Sequence, residues 1–88
     1  MRVDKFLKVS RLIKRRTLAK EICDQGRVQI NGRTAKAGTI VAVGDEISIQ
    51  FSNKVILVRV EALAEGVKKE EAKKLYTVLE ENTVFQES

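Results

Sequence analysis

Residues 2–32, RVDKFLKVSRLIKRRTLAKEICDQGRVQING, decide how this chain of 88 residues folds. At 100° per residue, Val3, Phe6 and Leu7 gather on one side of a helix over residues 3–9, and Lys5 and Lys8 fall opposite. Bases recur at every third position: Arg2, Lys5, Lys8, Arg11 and Lys14. On a helix of 3.6 residues per turn that stripe drifts by about 60° per step and would wind into the apolar one. The helix is therefore expected to stop near residues 9–12, and Arg11–Arg16 to turn. Thr17 is predicted as the N-cap of a second helix over residues 17–25, with Leu18, Ala19, Ile22 and Cys23 at helical spacing. Gly26 suits the left-handed residue that ends it. Arg27–Ile30 alternates, with Val28 and Ile30 inward, and Asn31-Gly32 is the favoured pair for a type I′ hairpin.

Beyond residue 32 the alternation continues. Thr39–Val43 is a candidate strand, Gly44-Asp45 a turn, and Glu46–Phe51 a strand with Ile47, Ile49 and Phe51 on one face. Ser52-Asn53-Lys54 turns the chain into a further strand, Val55–Val60. Ala72, Leu75, Tyr76 and Leu79 predict a third helix over residues 69–81, supported by the Glu70 and Lys74 pair four apart. The expected class is α+β: two short N-terminal helices on a small, mostly antiparallel sheet, plus a C-terminal helix. Residues 1–62 are expected to form the domain, and residues 63–88 a charged extension with one helix.

Hydrophobic residues make up 43% and charged residues 33%, an ordinary composition for a single folded domain. Arg2, Asp4, Lys5 and Lys8 interrupt any signal-peptide core, and no apolar run approaches a membrane span, so a cytoplasmic chain is expected. The chain has no histidine, and Cys23 is its one cysteine. Histidine catalysis, an internal disulfide and a multi-cysteine zinc site are thereby excluded. Cys23 reads as a small buried hydrophobe. No Walker loop or GxGxxG is present, and no cofactor or metal site is expected. A binding module is favoured over an enzyme.

The charge is unevenly placed. Residues 1–38 hold eleven bases against three acids, a net +8, whereas residues 39–88 net −3, giving +5 for the chain. Bases spread along the chain would serve solubility equally well. A half this cationic points to a polyanion, and nucleic acid is the natural one. A membrane surface is disfavoured, because the basic half has Phe6 as its only aromatic and no tryptophan.

Five segments carry a resemblance: Arg2-Val3-Asp4-Lys5-Phe6-Leu7, Arg16-Thr17-Leu18-Ala19, Gly26-Arg27-Val28-Gln29-Ile30-Asn31-Gly32, Lys36-Ala37-Gly38 and Gly44-Asp45-Glu46-Ile47. In this order and spacing, over residues 1–51, they resemble the RNA-binding domain named after small-subunit ribosomal protein four. Val3 stands where leucine is usual. The resemblance implies an αL motif, two short helices packed on a small sheet. Because that domain fills nearly the whole chain, the stand-alone heat-shock protein fifteen family is the nearer likeness. Lys8–Arg16, Lys68–Ala72 and Leu75-Tyr76 are similar to its bacterial ribosome-associated quality-control branch. A monomer is expected, and that likeness implies that it binds the large ribosomal subunit, contacting large-subunit rRNA and a stalled peptidyl-tRNA in the P site. It also implies support of C-terminal alanine tailing by a partner of the RqcH type.

The basic residues expected at the RNA are Arg2, Lys5, Lys8, Arg11, Lys14, Arg15, Arg16, Lys20 and Lys36. The resemblance singles out Arg2 and Arg16; Arg2 has the competing role of pairing with Asp4 or an acid of the sheet. Asp4 would repel phosphate, so it is expected to hold an arginine in place or to support the first helical turn. Asn31-Gly32 is read chiefly as turn chemistry. Phe6 and Phe51 fall at core positions, leaving Tyr76 and Phe85 as the other aromatics, too few for a base-stacking platform. Shape and phosphate recognition of folded RNA is expected instead. A constitutive ribosomal component, an accessory subunit of an RNA-modifying enzyme and a DNA-binding architectural protein remain alternatives.

Overall fold

A computed structural model describes residues 1–83. The first helix, α1 (Val3–Val9), and the second, α2 (Arg16–Asp24), lie against a five-stranded sheet. Its strands are β1 (Val28–Ile30), β2 (Arg33–Thr34), β3 (Glu46–Gln50), β4 (Lys54–Val60) and β5 (Tyr76–Thr83), in the order β2-β1-β3-β4-β5, every pair antiparallel. A third helix, α3 (Lys69–Ala72), runs into a 3-10 turn, Lys73–Leu75. The class is α+β, with two short helices on the sheet, as the periodicity predicts.

The core lies between the helix pair and one sheet face. Val3, Phe6 and Leu7 of α1 and Ala19, Ile22 and Cys23 of α2 are buried there. Strand register supplies the opposing wall: Ile30 pairs with Ile47 and Ile47 with Val58, while Val28 pairs with Ile49 and Ile49 with Ile56. Each fully buried side chain of this size stabilises the fold by about 1.5–3 kcal/mol.

Turn chemistry follows the sequence closely. Gly26 has φ +74°; its N–H donates to the Cys23 carbonyl, and the Arg27 N–H donates to the Ile22 carbonyl. That bond pair is a Schellman ending, which needs the left-handed residue that glycine supplies. Asn31 (φ +51°) and Gly32 (φ +82°) turn β1 into β2, as a type I′ hairpin requires. Asn31 also bonds across to the next turn: its amide donates to Asp45 Oδ1 at 3.1 Å, and its Oδ1 accepts from the Glu46 N–H at 2.9 Å.

Four local expectations are corrected. First, α2 starts at Arg16, and its N-cap is Arg15 with no side-chain bond, so Thr17 is already helical and caps nothing. Second, residues 39–43 form no ladder strand. Their backbone groups are spent on the chain's start: Val3 N–H donates to the Thr39 carbonyl, Val41 N–H to the Met1 carbonyl, and Arg2 bridges Ile40. Third, the helix over 69–81 ends early. From Tyr76 the chain pairs with β4, and the Leu75 carbonyl accepts the Glu61 and Ala62 N–H groups. Tyr76, Thr77 and Val78 favour a pleated surface, and the open edge of β4 offers a ladder that outweighs a marginal helix. Fourth, Phe51 is only half-buried, at the rim of the core. Phe85 lies outside the described residues.

Candidate nucleic-acid interface

The N-terminal ends of α1 and α2 meet at Asp4. This residue is only 2% exposed, yet it is an acid in a basic face. Its Oδ1 accepts the Lys5 N–H at 2.8 Å, in the first turn of α1. Its Oδ2 accepts from Arg2 Nη2 at 3.3 Å, and Arg16 Nη2 lies 3.5 Å from Oδ1. One buried carboxylate therefore tethers two guanidinium groups from different elements. Both arginine side chains stay about half exposed, at 49% and 48%. A guanidinium carries five donors in a fixed fork, so a single carboxylate leaves donors free for another oxyanion. Asp4 thus contacts both arginines and the first turn of α1, and Arg2 pairs with it while its side chain stays half exposed.

Lys36 sits in the loop beside this cluster. Its N–H donates to Thr39 Oγ1 at 3.0 Å, and the same loop brings Gly38 against the Arg2 guanidinium. Lys36 itself is exposed.

A second cluster forms at the other end of α1, about 10 Å along a helix of seven residues. Lys8, Arg11 and Lys14 line a groove of about 430 Å³ together with Lys69. The turn that positions them is tightly built. Buried Ser10 donates through Oγ to the Leu7 carbonyl and accepts the Leu12 N–H. The Ile13 N–H also reaches the Leu7 carbonyl, with the Ile13 side chain in the core. Arg11 adopts φ +62°, a left-handed conformation costly for a non-glycine residue.

The remaining predicted cations differ. Lys5 is engaged by Glu65, whose carboxyl its ammonium holds below the usual carboxylate range. Arg15, the N-cap of α2, and Lys20 on the helix are exposed, outside both clusters. Lys69 was not among the residues singled out from sequence. The doublet Lys68-Lys69 is visible there, but not the backbone course that brings Lys69 to α1. A further shallow groove, lined by Leu18, Ile22 and Phe51 with Arg27 and Lys54 at its rim, places the Lys54 ammonium 5.7 Å from the Phe51 ring centre.

Cys23 packs beneath the helix pair. Burial pushes its thiol up to about 11, with Asp4 and Asp24 adding to the effect. A protonated, enclosed thiol is a packing group with little nucleophilic character.

Comparison with known proteins places this geometry. The S4 domain family matches residues 1–47. The chain is 58% identical over 84 residues to the RQC P-site tRNA stabilizing factor of Halalkalibacterium halodurans, covering 96% of each chain. It is 59% identical over 81 residues to the Bacillus subtilis factor of the same name, covering 92% of this chain and 94% of that one. Among solved structures, the trimeric heat shock protein 15 of Vibrio cholerae superimposes with a TM-score of 0.82 at 29% identity, over 89% of this chain and 80% of that one. With the S4 match over residues 1–47 and 58% identity across 96% of its length, this chain belongs to the family of RQC P-site tRNA stabilizing factors.

Proposed function

We propose that this protein is a non-enzymatic RNA-binding factor of ribosome-associated quality control in the bacterial cytoplasm. It binds the large ribosomal subunit that carries a stalled peptidyl-tRNA, touching both large-subunit rRNA and the tRNA. By holding that tRNA in the P site it supports C-terminal alanine tailing by an RqcH-type partner. It acts as a monomer, without a cofactor.

The observation that carries the reading is the Arg2–Asp4–Arg16 cluster. Two half-exposed guanidinium groups are held by one buried acid, a pre-organised receptor for phosphate oxygens. Arg2 and Arg16 are its central contacts; Lys8, Arg11, Lys14, Arg15, Lys20 and Lys36 extend the phosphate-binding surface, and Lys5 joins it once it exchanges Glu65 for RNA. Asp4 positions the arginines and touches no RNA.

The test is co-sedimentation with purified large subunits bearing peptidyl-tRNA. Arg16→Ala should reduce association about tenfold or more while the melting temperature stays within a few degrees. Unchanged association of that variant would overturn the reading. Protein present at one copy on every ribosome, stalled or not, would instead mark a constitutive ribosomal component.

A further inference from the structure

The S4 match ends at residue 47, yet the groove at the C-terminal end of α1 is completed by a residue far beyond it. We infer that the segment Gly66–Leu75 forms the second wall of a phosphate subsite, with Lys69 facing Lys8, Arg11 and Lys14, and that this subsite grips the sugar-phosphate backbone of RNA. The inference rests on the RNA-binding reading above and extends it to a part of the chain outside the shared domain.

Three observations carry it. All four residues lining the groove are bases; Glu70 and Glu71 follow Lys69 but do not line it, and Glu65 is engaged with Lys5. Four cations around one hollow repel one another, and a polyanion relieves that repulsion. The wall is anchored: Ala72 and Leu75 are 1% and 3% exposed, Val67 packs partly buried against the core, and Gly66 and Val67 share an adjoining recess of about 120 Å³ with Lys8, Val9 and Arg11. Lys69 is thus carried by an anchored segment, which lowers the ordering cost of using it. Finally, Arg11 occupies a left-handed position (φ +62°) where a glycine would be unstrained, as expected if its side chain serves a ligand.

The groove is open and its cations end long, exposed side chains. A single small anion would be held weakly there, whereas a chain of phosphates already engaged at Arg2 and Arg16 can continue along α1 into it. RNA backbone is therefore the occupant, in preference to an acidic peptide.

The experiment measures binding of labelled tRNA and of large subunits to the full chain, across a range of salt concentrations. Lys69→Glu should weaken both by about tenfold, and Lys69→Ala should lower the log–log salt slope by about one. Lys74→Glu, an equal charge change in the same segment but outside the groove, should change binding less than about twofold, with all melting temperatures alike. Equal effects of Lys69→Glu and Lys74→Glu would overturn the inference, as would a Lys69→Glu variant that loses polyglutamate binding but keeps RNA. If Arg16→Ala weakens RNA binding and Lys69→Glu does not, this inference falls and the RNA-binding reading stands. If the wild-type chain binds no RNA, both fall.

Discussion

Asp4 shows how a residue that opposes a ligand's charge can favour its binding. Replacing it by Asn keeps the size and raises the net charge by one. Simple electrostatics would then strengthen RNA binding. A positioning role gives the reverse, because the Arg2 and Arg16 side chains regain rotamer freedom once the anion is gone. Asp4→Asn should therefore weaken RNA binding by about three- to tenfold and cost about 1–2 kcal/mol of stability, as filter binding and urea denaturation can measure. Arg11 sets a second trade-off. Arg11→Gly removes the left-handed strain, so stability should stay level or rise by up to about 1 kcal/mol, while RNA affinity falls with the lost guanidinium. Cys23 reports on pH. Its folded thiol titrates near 11, above the ordinary value near 9, so the folded state favours the neutral form. That contribution is complete below pH 9 and is lost as pH rises through 11. Between those values the wild type should lose stability more steeply than Cys23→Ala in parallel denaturation titrations, even though the variant starts lower.

The elements divide into those written locally and those recruited. Helix α1, the Gly26 ending of α2, the Asn31-Gly32 hairpin and strands β3 and β4 follow from period and turn chemistry alone. Strand β5 does not. The stripe Ala72, Leu75, Tyr76, Leu79 fits a helix, but a short isolated helix gains little, and an unpaired β4 edge would leave a row of N–H and C=O groups open. Leu75 is the hinge between the two habits, and its side chain is 3% exposed. Leu75→Ala should cost about 2–4 kcal/mol in urea denaturation and, by loosening the wall that bears Lys69, should also weaken RNA binding.

At the scale of the whole molecule the charge is polarised along the chain: a net +8 lies in residues 1–38 and a net −3 in residues 39–88. Salt should therefore weaken RNA binding steeply, with a log–log slope that grows by about 0.7–0.9 for each phosphate neutralised, and Arg16→Ala should flatten it. The helix pair, its basic character and the hairpin are readable from the chain alone, because period, glycine placement and charge density are local properties. The Thr17 cap was misread because Arg15 already stands in the capping position, so Thr17 falls inside the helix. The arrest of Lys5 by Glu65, the diversion of residues 39–43 to the N-terminus and the meeting of Lys69 with Lys8 lay beyond that reading. Each pairs groups tens of residues apart, and such pairings are set by which backbone groups and apolar faces remain unsatisfied once the local elements have formed.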